Sequence, residues 1–596
     1  NKGEIVFFVI WFCWFALFAL WAFPRFDIIP DGINQVSTKL PPLEYHIYDM
    51  ITTSSAINDD FDPLDAFPIY APETTEEYIK PFEVLHNDIQ DQTEKNHKNE
   101  ENQQTHQLVQ HTDDSVTYNE YKDLEWLFPL PNGIPEEHKW RYKSTNVYWS
   151  KVDSLYRKFE HYKETLELPP KSVKDEIERV CSVLKSKNRD YLCTMFSKCY
   201  PNTLETTTSI LPDNTVYVIT GDIPLMWMRD SSAQVHQYLP LLEKDPHIQI
   251  LIEGVIRRQI QWIKLDPYGS SFRLKLDFDD MGKERLTEWD FETGRTIHVA
   301  MHDYEIDSLC YFLRLSYNYY IRMNECTIFE SEWLLAAKRI VNLWKLEQDH
   351  PGKSNYTYPI LKNNGKGTRV CNTGMTWGGS RPSDDPCTYH FSIPSNMFAV
   401  VTLRYLQDIL VDCYPGETGF LQTVIELEQE IERGIADHGV VTGKNGPMYA
   451  YEVDGCGSTL LMDDANVPSL MSIDYLGFDS HADKDGTIKK NTYDFILSRN
   501  NPYYFSGSKL RGIGSPHTNR NYVWPMSLII QALSRNDKEE INSIINMLEE
   551  NDGNTGFMHE SVNVDNPKMF SRNWFAWANS LFAELIITHL DDIDAK

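Results

Sequence analysis

Positive charge is scarce in this chain. Its 596 residues carry 56 Lys and Arg against 87 Asp and Glu, a formal net charge of −31 at pH 7. Nothing in that balance would neutralise phosphates, which excludes a nucleic-acid partner. It suits a neutral polymer such as a glycan, where charge does not drive the encounter. Cysteine is limited to ten residues with no pair of closely spaced C-x-x-C units, so a zinc cluster is excluded. No fixed repeat period appears, which argues against a helical solenoid. Strand patterns are few, the best being "TVYVIT" at 215–220 and "MYAYEV" at 448–453.

One apolar run is long enough to cross a bilayer: Ile5 to Phe23, "IVFFVIWFCWFALFALWAF". Lys2 precedes it, Pro24, Arg25 and Asp27 end it, and it stays bulky where a signal peptide would offer small residues. Residues 1–24 are therefore expected to be a signal anchor, making a single-pass type II membrane protein with its C-terminal part in the lumen. The expected compartment is the Golgi. From His86 to Ser115 there is almost no apolar side chain to offset the entropy of folding. Residues 25–120 accordingly read as a largely disordered stem. Trp126, Trp140, Tyr148 and Trp149 mark 121–170 as a segment that packs on the body beginning at 171. A lumenal address fits the glycosylation sequon Asn355-Tyr356-Thr357 and permits disulfides, Cys193 and Cys199 being near in sequence. Cys13 lies in the anchor, and the nine cysteines beyond it leave at least one thiol unpaired.

Within 171–596 the helical period dominates. Phe420, Val424, Leu427, Ile431 and Ile435 share one face, as do Trp333, Ala337, Ile340 and Trp344. Similar patterns run through 248–265, 307–323, 394–413, 522–534, 539–550 and 574–592. Ten or more helices in successive hairpins can close into a ring around a pit, with loops crossing its mouth.

Those loops are dense in functional groups. "GDIPLMWMRDSSAQV" (221–235) carries Trp227, Arg229 and Asp230, of which Asp230 or Ser231 could simply cap a helix. "HDYEIDSLCY" (302–311) puts Glu305 and Asp307 at a helix start, where they could merely complement its dipole. "TGMTWGG" (373–379) brings Trp377 and leads into "RPSDDPCTYHF" (381–391), a stretch that Pro382 and Pro386 keep out of a helix interior. "YAYEVDGCGSTLLMDDANVPS" (449–469), "GIGSPHT" (512–518) and "TGFMHESVNVDNP" (555–567) add Glu452, Asp464, His517, His559 and Glu560. Each alone reads as a solvated loop; together they read as the lining of a polar pit.

These stretches, with "SIPSNMFAVV" and "WFAWANSLF", resemble glycoside hydrolase family 125 in the family's order over roughly 195–590. Departures from its pattern fall at Gly378, Ser380, Pro386 and Ser561 and spare the charged residues. The resemblance implies an all-α fold, an (α/α)6 toroid of helical hairpins with short strands in its loops. It implies hydrolysis of terminal α-1,6-linked mannose with inversion and without a metal or other cofactor. The family's general acid falls on Asp384 and its general base on Glu560. Trp227, Arg229, Asp230, Glu305, Asp307, Trp377, Arg381, Asp385, Asp464, His517 and His559 are the expected substrate-binding residues. The implied partners are mannose-containing glycans, besides the membrane that the N-terminal helix would enter.

The chemistry suits a carboxyl pair. One protonated group supplies the leaving oxygen with a proton while the other, ionised, draws a proton from water. Asp385 beside Asp384 would help hold that proton, and Arg381 would oppose it or anchor the sugar. A lumenal mannosyltransferase, for which "DFDD" (277–280) could imitate a metal-binding motif, is one alternative. A calcium-dependent processing mannosidase and a non-catalytic mannan-binding protein are the others.

Overall fold

Apolar periods become two concentric layers of helix. The computed structural model describes residues 167–211, 213–273 and 298–596, with the backbone of 289–290 and 295–296. The expected anchor (1–24), the stem (25–120), the segment 121–170 up to its last four residues, and the acidic stretch 277–280 lie outside the described residues. Among the described residues no helix is long and apolar enough to cross a membrane.

The helices are α1 (Lys171–Ser186), α2 (Asp190–Cys199), α3 (Met228–Ala233), α4 (Pro246–Leu265), α5 (Ile306–Met323), α6 (Ser331–Glu347) and α7 (Ile393–Cys413). There follow α8 (Thr418–His438), α9 (Ile473–Leu476), α10 (Thr487–Ile496), α11 (Pro525–Leu533), α12 (Lys538–Glu550) and α13 (Ala576–Thr588). Inner elements pack in sequence: α3 with its following 3-10 turn against α5, α5 against α7, α7 against α9, α9's preceding turn against α11, α11 against α13, and α13 back onto α3. Outer helices follow each inner one, and α1 with α2 complete the outer layer beside α13. The result is the helical toroid of six hairpins.

The two layers differ in sequence for a physical reason. Outer α8 buries the apolar stripe Val424, Leu427, Ile431 and Ile435, with Glu428, Glu432 and Gly434 beside it, and turns its opposite face to water. Inner α7 is buried on every side from Ile393 to Leu403, so its apolar residues form no stripe. Strands are short and confined to loops. The 215–220 pattern becomes Val216–Val218, paired with Thr208–Ile210. The 448–453 pattern breaks into Gly446–Tyr449 and Glu452–Val453, which pair with different neighbours.

Disulfides join Cys181 to Cys193, Cys326 to Cys413 and Cys371 to Cys456, while Cys199, Cys310 and Cys387 are free and buried. Cys193 and Cys199, though near in sequence, are not partners. Both lie on α2, where six residues of rise separate them by about 9 Å, beyond a disulfide's reach.

The turn between α1 and α2 is tied to α12 and to the segment after α13. Arg189, just before α2, is 1% exposed and its Nη2 sits 2.9 Å from Glu549 at the end of α12. The Lys187 ammonium donates to the carbonyls of Leu590 and Ile593. Replacing Glu549 with Ala strands a buried guanidinium, so unfolding free energy is expected to fall by about 3 kcal/mol in a denaturant titration. A loss under about 1 kcal/mol would show that this tie does not depend on the pair.

Candidate active site

Four inner helices begin at one cavity. Trp227, Glu305, Trp524 and Phe575 are the residues at which α3, α5, α11 and α13 start. Three of them, Trp227, Trp524 and Phe575, line a cavity of about 240 Å³, and Glu305 lies behind its wall. Helix N-termini carry partial positive charge, which favours carboxylates gathered there. The other lining residues include Arg229, Asp230, Ser383, Asp384, Asn466, His517, Glu560 and Arg572.

Loops are pinned to one another around this opening. Gly221 pairs with Phe575 as an isolated bridge at φ 126°, and a Cβ there would lie 2.4 Å from the Trp574 carbonyl oxygen. Only glycine accepts both conditions. The 221–235 loop then forms the two-residue strand Met226–Trp227 and turns into α3. The capping reading fails here, because Asp230 sits inside the first turn and Ser231 donates back to the Trp227 carbonyl at 2.6 Å. Glu305 does occupy an N-cap position, but its side chain accepts from Arg229 and Ser308 instead of capping.

Arg229 is the hub. Its guanidinium, 4% exposed, reaches Asp230 at 2.9 Å, Glu305 at 2.9 Å, Asp307 at 3.4 Å and Asp384 at 2.9 Å. It also lies 5.5 Å over the Trp577 ring. Burial pushes Asp230 up to about 6 and Asp307 up to about 7 against the pull of Arg229, and lifts Glu305 well above the usual carboxylate range. Burial therefore makes the carboxyls of this wall weaker acids than exposed ones.

Asp384 sits at the tip of the 381–385 turn with φ 66°. The turn is closed by Arg381 N–H to the Asp385 carbonyl at 2.8 Å and Asp384 N–H to the Arg381 carbonyl at 3.0 Å. Trp227 Nε1 at 3.1 Å and Arg229 Nη2 at 2.9 Å both donate to Oδ1, which leaves Oδ2 for the cavity. Glu560 stands in the same cavity with a different company. Ser571 donates to its Oε2 at 2.8 Å, and Arg572 Nη1 lies 3.7 Å from Oε1. Arg572, itself at φ 50°, is held by Asp222 and lies 4.4 Å over the Phe575 ring.

Other expected residues act at one remove. Arg381 turns to Glu452 at 2.5 Å, and Glu452 also accepts from the backbone of Thr388 and Tyr389. Asp385 pairs with His517 at 2.9 Å. The roles expected of Arg381 and Asp385 beside Asp384 are thus corrected: Arg229 is the cation in contact, and Asp385 is engaged elsewhere. Hydrogen bonding to Asp385 pushes His517 up to about 9, so a cationic imidazole faces the cavity. Asp464, fully buried, accepts from Ser383 at 3.2 Å and steadies the turn.

Two expected contacts are misplaced. Trp377 is 0% exposed and stacked between His350, 3.7 Å away, and His390, 4.6 Å away, so it packs the body behind the site. His559 is buried against Phe570 and binds the Arg572 carbonyl and the Thr555 hydroxyl. Adjacent residues in the motif M-H-E point to different places, and only Glu560 reaches the cavity. Sequence reasoning missed Asn466, Trp524, Arg572, Phe575 and Asp303. Asn466 lies within the quoted 449–469 loop, and Arg572 lies two residues before the aromatic "WFAWANSLF" stretch. Its place as a cation between Glu560 and that stretch was the available signal.

Known proteins resemble this chain over its helical body. A curated fission-yeast protein, the meiotically up-regulated gene 157 protein of Schizosaccharomyces pombe, is 39% identical over 449 residues, 71% of this chain and 86% of its own length. A solved Streptococcus pneumoniae structure, from a family described as metal-independent alpha mannosidases and holding α-1,6-mannobiose in a non-productive complex, is 37% identical. It covers 71% of this chain and all of its own, with a TM-score of 0.65. The model of the metal-independent alpha-mannosidases matches residues 189–587, a span that contains Arg229, Asp384 and Glu560. The chain is a glycoside hydrolase, an alpha-mannosidase belonging to glycoside hydrolase family 125.

Proposed function

We propose that the chain is an exo-acting mannosidase that removes terminal α-1,6-linked mannose with inversion, Asp384 serving as general acid and Glu560 as general base. The observation that carries this reading is that Asp384 and Glu560, from distant loops, line one cavity in unlike surroundings. Linkage rests on the α-1,6-mannobiose held by the Streptococcus pneumoniae relative. A cavity of about 240 Å³ suits one sugar ring and a water, in keeping with removal of one residue per encounter.

In this mechanism Asp384 gives its proton to the glycosidic oxygen as the bond to the anomeric carbon breaks and its electron pair stays with that oxygen. Glu560 takes a proton from a water on the opposite face, and that water's oxygen forms the new bond. Arg229, Asp230, His517 and Asn466 supply donors and acceptors for mannose hydroxyls, and Trp227 and Trp524 supply flat walls. General acid and base groups each contribute about 10²–10⁴-fold. Asp384→Asn and Glu560→Gln are expected to lower kcat on α-1,6-mannobiose by about 10³-fold, with unchanged circular dichroism. Proton NMR of the first-formed mannose should show the β anomer. Retained activity in either variant would reject that residue's role, and α anomer would reject inversion.

We also propose a lumenal site of action, with the Ile5–Phe23 run as a signal anchor in a Golgi membrane. Three disulfides and an exposed Asn355 in an N-Y-T sequon support an oxidising, glycosylating compartment. Cellular protein is expected to drop by one glycan's mass on peptide N-glycosidase treatment, and Asn355→Gln to abolish the drop. An unshifted wild-type band would count against the address.

A further inference from the structure

Asp384 must arrive at the reaction protonated, yet both groups that touch it, the Trp227 indole and the Arg229 guanidinium, are donors suited to a bare carboxylate oxygen. Something nearby has to keep a proton available. The charged groups around it are Arg229, Asp230, Glu305 and Asp307 on the inner wall, with Asp385, His517, Glu560 and Arg572 around the cavity. Asp230, Glu305 and Asp307 each lie within ion-pair distance of Arg229, and Asp385 is paired with His517.

Asp303 differs from all of them. It precedes α5, is 0% exposed, and has no ion pair among the described residues. Its Oδ1 accepts from the Ser270 hydroxyl, while Oδ2 is buried with no hydrogen-bond partner. One carboxylate oxygen from each of Asp303, Glu305 and Asp384 lies within 4.8 Å of the others. Burial without an ion pair favours the protonated form of a carboxyl, and two carboxyls this close do not both ionise readily. Burial, and next the Asp384 charge, push Asp303 up to about 7.

Resting on the reading of Asp384 as the acid, we propose that Asp303 and Asp384 hold one proton between them, Asp303 being the positioning residue that keeps it available to Asp384. During the chemical step that proton leaves through Asp384 to the glycosidic oxygen, whose bond to the anomeric carbon breaks with the electron pair. The pair of carboxyls, then doubly ionised beside Arg229, regains one proton from solvent through the cavity, where the Asp384 side chain is 27% exposed. Glu560 returns to solvent the proton taken from water.

The test compares two substrates across pH: α-1,6-mannobiose, whose leaving group needs a proton, and 2,4-dinitrophenyl α-mannoside, whose leaving group does not. Asp303→Asn is close in shape and keeps an acceptor for Ser270 but cannot ionise. Its alkaline limb of kcat/KM on mannobiose is expected to fall by about one pH unit. Rates at the acidic end, and on the activated substrate throughout, should change less than about threefold. Asp303→Glu, which ionises, should return the limb toward wild type. An unmoved limb in Asp303→Asn, or equal losses on both substrates at every pH, overturns the proposal. Wild-type enzyme gives a second reading that needs no variant: its alkaline limb on mannobiose should lie above about pH 6, and a limb near 4, where a lone Asp titrates, also overturns it. Asp384→Asn separates the underlying reading. It should lower mannobiose hydrolysis by about 10³-fold while sparing the activated substrate, and near wild-type mannobiose hydrolysis would remove the acid assignment itself.

Discussion

A single buried cation organises the site. Arg229 touches Asp230, Glu305, Asp307 and Asp384, which come from three separate loops. Without it those carboxyls would be close, dry and mutually repelling, and each loop would be pushed from the others. With it they form one wall, held from behind by the Trp577 ring. The guanidinium suits this task better than an ammonium would, since its planar fork offers several donors in fixed directions at once. One charge cannot balance four, so the wall retains protons. That property belongs to the arrangement and to no single residue.

The toroid explains why such a wall can exist. Inner helices α3, α5, α11 and α13 all start at the cavity, so their partially positive ends face the acidic groups. Residues at helix starts are also the least free to drift, because the helix body is buried on every side. The turn that carries Asp384 is tied by Arg381 to Glu452 and by Ser383 to Asp464, and the backbone after Glu560 is tied by the pairing of Ser561 with Ser571.

Much of this was legible from the residues, and the losses have physical causes. Outer helices such as α8 were clear because one face meets water and the stripe stands out; inner α7 showed its extent but not its orientation, being apolar on all sides. Spacing along a loop does not say which way a side chain points, so Trp377 and His559 were expected at the sugar and instead pack behind it. A neighbour in sequence misled once more, with Asp385 beside Asp384, since a tight turn sends adjacent side chains apart. Asn466 escaped because a linear motif does not say which loop tip faces the pit, and Arg572 because its place between Glu560 and the aromatic stretch does not show the positive-φ turn that aims it there.

On the proposed reading, the division of labour between the two carboxyls follows from what surrounds each. Asp384 stands against a wall with more carboxyls than cations, the setting that keeps a proton at hand. Glu560 stands against Arg572 and the Ser571 hydroxyl, a cation and a donor, and both suit an ionised oxygen. Acid and base would exchange roles only if these surroundings were exchanged. Arg572 in turn owes its place to Asp222 and to the His559 ring that holds its carbonyl. His559, placed outside the cavity, therefore still bears on the base, through the backbone of the residue that faces it.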